Sequence, residues 1–125
     1  MSEQIARARI IDQAYIELEF LIEDVALSKE DVAKGWLEAN TLDPQKKFPV
    51  LLLTAKWSLP ENEAFKQILA EINSRPIVAV VVHDLSQRLV GNFTLNLTGK
   101  SKNIKLFDEV EAARTWLIKK IASRD

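Results

Sequence analysis

The chain has 125 residues, the size of one domain over 1–125, and can bury about two-thirds of its unfolded surface without a disulfide or a metal. Lys+Arg number 17 against 18 for Asp+Glu, so the formal net charge is −1, which argues against nucleic acid as a partner. Cysteine is absent, which excludes a disulfide scaffold, a thiolate zinc site and a cysteine nucleophile together.

No run approaches the ~20 apolar residues of a transmembrane segment. The start, Met1-Ser-Glu-Gln-Ile-Ala-Arg7, has no basic stretch followed by an apolar core, so a signal peptide is not expected and a cytoplasmic location is. The sequons Asn92-Phe-Thr94 and Asn96-Leu-Thr98 then read as chance matches inside a helix.

The chain opens on a hairpin pattern. Ala6, Ala8 and Ile10 alternate with Arg7 and Arg9, and after a turn near Asp12-Gln13, Ile16, Leu18 and Phe20 alternate with Tyr15, Glu17 and Glu19. Period two predicts half-exposed strands whose charged face is solvated or meets a partner. Ser28 with Asp31 opens the first helix in a capping-box pattern, and Val32, Ala33, Trp36 and Leu37 form its expected inner face. Gly35 is a weak point in that helix, worth about 1 kcal/mol against alanine. Asp43-Pro44 closes it.

Val50 to Ala55 is a continuous apolar run and predicts a strand buried on both faces. Ser58 with Glu61 starts the next helix, Pro60 fits its first turn, and Phe65, Ile68, Leu69 and Ile72 are its stripe. Asn73-Ser-Arg-Pro76 ends it. Ile77 to Val82 is a second buried strand. Asp84 with Gln87 can cap a third helix with Leu85, Leu89, Val90, Phe93 and Leu97 inward and Gly99 as its stop. After a polar loop, Ile104 to Phe107 is a short strand. Asp108 with Glu111 is the expected cap of a last helix facing inward through Val110, Ala113, Trp116, Leu117 and Ile121.

The order ββαβαβαβα predicts an α/β domain with a mixed, mostly parallel sheet. Strand order does not follow from the sequence.

The chemistry is thin. His83 is the one histidine and stands at the carboxyl end of a buried strand, where open α/β sheets place ligands. Its neighbours Asp84 and Ser86 match a triad in composition only, and no Gly-x-Ser-x-Gly elbow exists. No metal site is expected: Glu17/Glu19, Glu23/Asp24 and Glu30/Asp31 lack ligand-loop spacing and a turn glycine. Gly99-Lys-Ser101 is not a phosphate loop, since Thr94 stands where the first glycine belongs and the segment runs from helix to strand. Lys100, Lys102 and Lys105 read as a solubilising cluster that could also meet an anion or acidic partner. Trp36 and Trp116 lie on apolar stripes. Trp57 does not; it follows Lys56 in a strand-to-helix connection and is a candidate contact. Ser58 at a helix start is a cap and a candidate phosphosite, where added charge would sit well on the helix dipole.

The element order, with Ser58 at the helix after the first central strand, resembles the STAS fold of SpoIIAA-type anti-sigma factor antagonists. The tracts Arg88-Leu-Val-Gly-Asn-Phe93, Lys105-Leu-Phe-Asp108 and Glu111-Ala-Ala113 with Trp116-Leu117 are more closely similar to small bacterial SpoIIAA-like (STAS/SEC14-type) proteins. The likeness runs from roughly the hairpin to Ile121. It implies a SpoIIAA-like (STAS) fold, a five-stranded sheet with an N-terminal hairpin and four helices, in a non-enzymatic protein-binding domain. In such antagonists a serine at the start of the helix after a central strand is phosphorylated by a partner kinase, which controls binding to an anti-sigma factor. The matching neighbourhood is Lys56-Trp-Ser-Leu-Pro60, where Ser58 stands without the family's Asp-Ser-Ser/Thr-Gly-type signature. The SEC14 side implies an apolar-ligand site.

The expected function is a protein-interaction module with a regulatory role open, needing no cofactor. The alternative is a carrier or sensor of a small apolar or anionic ligand, its pocket flanked by Lys56, Trp57 and His83. An enzyme with His83 as general base ranks last. A homodimer through the hairpin or the helical faces is a further option.

Overall fold

The computed structural model describes residues 5–21, 28–53, 62–81 and 103–123, and for residues 62–65 and 69 the backbone alone. The elements are β1 (Ala6–Ile11), β2 (Tyr15–Phe20), α1 (Lys29–Leu42), β3 (Val50–Leu53), α2 (Asn62–Asn73), β4 (Val78–Val81), β5 (Ile104–Phe107) and α3 (Val110–Ala122). The helix expected from Asp84 to Leu97 lies outside the described residues.

The five strands form one sheet in the order β1-β2-β3-β4-β5. β1 and β2 are antiparallel and every later pair is parallel. The hairpin turns where expected: Asp12 and Gln13 both have positive φ, and the Ala14 N–H donates to the Ile11 carbonyl at 2.8 Å. Two left-handed residues in succession match the right-handed twist of the flanking strands.

The register explains the core. Ile16, Val50, Val78 and Ile104 form one cross-strand row, and Leu18, Leu52, Val80 and Leu106 form the next. Both rows point to one face, where Val32, Trp36 and Ala39 of α1 and Ile72 of α2 cover them. On the other face Tyr15, Leu51, Ala79 and Val81 pack against Ala113 and Leu117 of α3. β3 and β4 are thus covered on both sides, as their unbroken apolar runs predict. α1 and α2 lie on the same face because the sheet is built strand by strand in one direction with crossovers of one hand. α3 follows the last strand and returns over the opposite face.

Ser28 caps α1 as expected: its Oγ accepts from the Asp31 N–H at 3.1 Å and Asp31 Oδ2 accepts from the Ser28 N–H at 3.2 Å. Three expectations need correction. Ala33 and Leu37 do not face inward; Leu37 is 62% exposed. The buried stripe is Val32, Gly35, Trp36 and Ala39. Gly35 carries no apolar signal, so the sequence pattern rotates the inner face by about one position. Asp108 is not the cap of α3. The cap position is Glu109, which makes no side-chain capping bond, and Glu111 instead pairs with Arg114. Finally, the charged face of β2 is not wholly solvated, because Tyr15 and Glu17 are buried.

Candidate functional site

β3 and β4 run side by side and finish level, with Leu53 paired to Val81. Lys56, Trp57 and Ser58 follow the first of these ends in the sequence, and His83 follows the second. All four lie outside the described residues, as do both sequons, Lys100, Lys102 and the Gly99-Lys-Ser101 tract. The described strands therefore start both candidate segments from adjacent positions on one rim of the sheet. At that rim the chain also changes sides. β2 and β3 lead to helices on one face, and β5 leads to α3 on the other.

The opposite rim is fastened by a buried ion pair. Arg75, 3% exposed, donates from Nη1 to Asp43 Oδ2 at 2.6 Å. Its Nη2 donates to Asn40 Oδ1 at 2.7 Å, and Nη1 also reaches the Phe48 carbonyl at 3.3 Å. The Asp43 carboxylate accepts in addition from the Phe48 N–H at 2.8 Å. Burial alone would push the Asp43 carboxyl up. The Phe48 N–H, the Arg75 guanidinium and the Lys47 N–H outweigh burial and hold it below the usual carboxylate range. The pair sits where α1 ends and α2 hands over to β4, at the amino ends of the parallel strands, so its position is that of a structural tie. In the sequence, Asp43-Pro44 and Asn73-Ser-Arg-Pro76 carry only the signal of helix stops. Nothing in their spacing announces that two charges 32 residues apart meet.

A second charged cluster lies on the face that α3 half covers. Arg7 pairs with Glu19 at 2.6 Å and Arg9 with Glu17 at 2.9 Å, directly across the hairpin. Glu17, 5% exposed, also faces Arg114 of α3 at 3.6 Å. Burial works to lower the Arg114 pKa; the Glu111 and Glu17 carboxylates, with the Tyr15 hydroxyl, outweigh it and raise it. This cluster ties α3 to the hairpin. The strict alternation of arginine on β1 with glutamate on β2 is the signal that could have found the cross-strand pairs. The partnership with Arg114 has no sequence signal.

The third cluster lies along the far edge, between β5 and α3. Lys105 holds its ammonium 5.5 Å from the Phe107 ring centroid, and Lys120 holds its own 5.7 Å from that of Trp116. The Phe107 and Trp116 rings are 5.7 Å apart and tilted by 54°. Trp36 is fully buried as expected, whereas Trp116 is half-buried and partly forms this surface. Among the described residues no group of three or more His, Asp or Glu side chains could hold a metal ion, and no helix is long and apolar enough to cross a membrane.

No protein-family model matches the sequence, and no curated protein matches it. A solved structure does: an uncharacterised protein of the DUF3478 family with a SpoIIAA-like fold, from Shewanella loihica PV-4. It is 16% identical, the match covers 94% of this chain and 98% of that one, and the TM-score is 0.58. The fold is SpoIIAA-like. The hairpin, the parallel strands and the flanking helices described above are therefore the elements of a SpoIIAA-like sheet, and the likeness extends to fold alone.

Proposed function

We propose that this protein is a non-enzymatic, cytoplasmic protein-interaction module that uses the carboxyl rim of its SpoIIAA-like sheet. One observation carries the reading: β3 and β4 end level and adjacent, and the chain runs on from them into Lys56-Trp57-Ser58 and His83. In this reading Trp57 and Lys56 contact the partner, His83 borders the same region, and Ser58 is the residue whose phosphorylation changes binding. A phosphate on Ser58 would add charge to a contact surface. Affinity capture from the native host, combined with phosphosite mapping, tests it. The expected result is a specific protein partner whose capture differs between Ser58→Ala and Ser58→Asp. Reproducible turnover of a metabolite with no stable partner would sink the idea.

A second reading uses the same rim, a pocket for a small apolar or anionic ligand, because open α/β sheets bind ligands outside the carboxyl ends of their strands. Native mass spectrometry of freshly purified protein separates the two. A bound small molecule supports the pocket; a clean protein mass, with no stabilisation by lipids or metabolites, rejects it.

A further inference from the structure

The outer edge of β5 brings together two features that the carboxyl-rim reading does not use. The first is a ladder left open among the described residues. β5 is the last strand of the sheet. The Asn103 carbonyl accepts from the Val78 N–H at 3.0 Å, so Asn103 turns its backbone toward β4. By the alternation of a parallel ladder, Lys105 and Phe107 do the same, and Ile104 and Leu106 turn their N–H and C=O groups outward. Among the described residues no strand pairs with them. An edge of this kind is a template for another strand.

The second feature is the chemistry beside that ladder. Lys105 and Phe107 project from β5 on the face that carries α3, where the Phe107 ring meets Trp116 and Lys120 lies over the Trp116 ring. The four arginines of the described ion pairs each meet a carboxylate. No carboxylate lies within ion-pair distance of Lys105 or Lys120 among the described residues; aromatic rings hold them instead. The edge therefore offers main-chain donors and acceptors, two positive charges and an aromatic floor.

Charge decides the occupant. A second copy adding through the same edge would bring Lys105 close to its own counterpart, and like charges across a strand pair are destabilising. An acidic strand reverses the sign of that contact. We propose that the outer edge of β5 accepts an extended acidic segment of a partner protein as an added strand, its carboxylates meeting Lys105 and Lys120 and an apolar side chain resting on the Phe107–Trp116 pair. Recognition of this kind takes affinity from main-chain hydrogen bonds and specificity from alternate side chains. It extends the interaction-module reading to a second surface and does not depend on Ser58.

Fluorescence anisotropy with a labelled peptide of Glu-Thr-Val-Thr repeats, which sets Glu and Val in turn on one face of an extended strand, tests it. The wild-type protein is expected to bind this peptide at least about tenfold more tightly than its counterpart with Gln for Glu, and less tightly as salt is added. N-methylation of alternate peptide amides is expected to lower affinity by about tenfold or more, because it blocks the ladder. Lys105→Glu with Lys120→Glu is expected to do the same, and Ser58→Asp to change nothing. Absence of binding, equal binding of the Glu and Gln peptides, or indifference to N-methylation would overturn the proposal. These comparisons leave the protein unaltered, so they decide even if the double variant misfolds. Binding that survives the lysine changes but is lost in Ser58→Asp would overturn this surface and leave the carboxyl-rim reading standing.

Discussion

Asp43 and Arg75 show how much a single buried pair can hold. Removing one member leaves the other charge in a dry site, which costs about 3 kcal/mol. Asp43→Ala is therefore expected to lower the urea midpoint strongly at neutral pH, with no change in the slope of the unfolding curve. The pair also sets an acid limit. The folded Asp43 pKa lies below its unfolded value, so between the two the unfolded chain binds more protons. Its contribution is complete above about pH 4, the ordinary carboxylate value, and is lost as pH falls through the lower folded value. Urea unfolding of wild type and Asp43→Asn should show a gap in stability that narrows below about pH 4; a constant gap would mean that Asp43 acts through shape and not charge. Gly35 makes a second case. A Cβ there would strike the Phe20 ring, with Cζ at 2.6 Å, and come within 3.2 Å of Ala6 Cβ. Alanine would gain about 1 kcal/mol of helix propensity, but the buried ring cannot yield cheaply, and overpacking costs about 1–3 kcal/mol. Gly35→Ala should destabilise, and Phe20→Leu in the same chain should recover part of the loss. The glycine looks like a flaw in the sequence of α1; it is the place where helix and hairpin touch.

The helices differ in how far their periodicity can be trusted. α1 was legible as a helix with its cap, because Ser28 and Asp31 act locally and need no tertiary partner. Its inner face was misread because a close approach to Phe20 requires the smallest residue there, and that residue is silent in an apolar count. In α3 the inner face was mostly legible: Ala113 and Leu117 are buried, and Val110 and Ile121 pack beside them. What could not be read is that this helix crosses to the face carrying Glu17. Local pattern records that a face is charged, not that another element will later cover it. The orientation of α3 has a direct check in two neighbouring residues. Leu117 is fully buried and Ile118 is 53% exposed. Leu117→Ala is expected to cost about 3 kcal/mol, and Ile118→Ala to stay within about 0.5 kcal/mol. Thermal or urea unfolding of the two variants measures the difference, and similar losses would place the helix in a different rotation.

For the molecule as a whole, buried strands and connecting helices were legible because composition distinguishes a doubly covered strand from a half-exposed one. Adjacency was not, since a parallel crossover fixes hand without fixing neighbours. The candidate rim shares that limit: Lys56, Trp57, Ser58 and His83 could be placed after strands, but only the pairing of Leu53 with Val81 makes those strand ends neighbours. The order β1-β2-β3-β4-β5 has an energetic consequence. β3 and β4 have a strand on each side and a helix layer on each face, whereas among the described residues β1 and β5 each lack one neighbour. Opening the centre exposes both core clusters at once and amounts to global unfolding; opening an edge exposes part of one. Native-state hydrogen exchange should therefore find the slowest amides at Leu51, Leu52, Ala79 and Val80, exchanging with the free energy of global unfolding. Amides of β1 and β5 should exchange faster through local opening, fastest at the outward-facing Ile104 and Leu106. Uniform protection across all five strands would mean that the edges open only with the centre. A free β5 edge that opens at low cost is also the state into which an added strand could dock, so faster exchange there and its slowing by the acidic peptide are linked expectations of one surface.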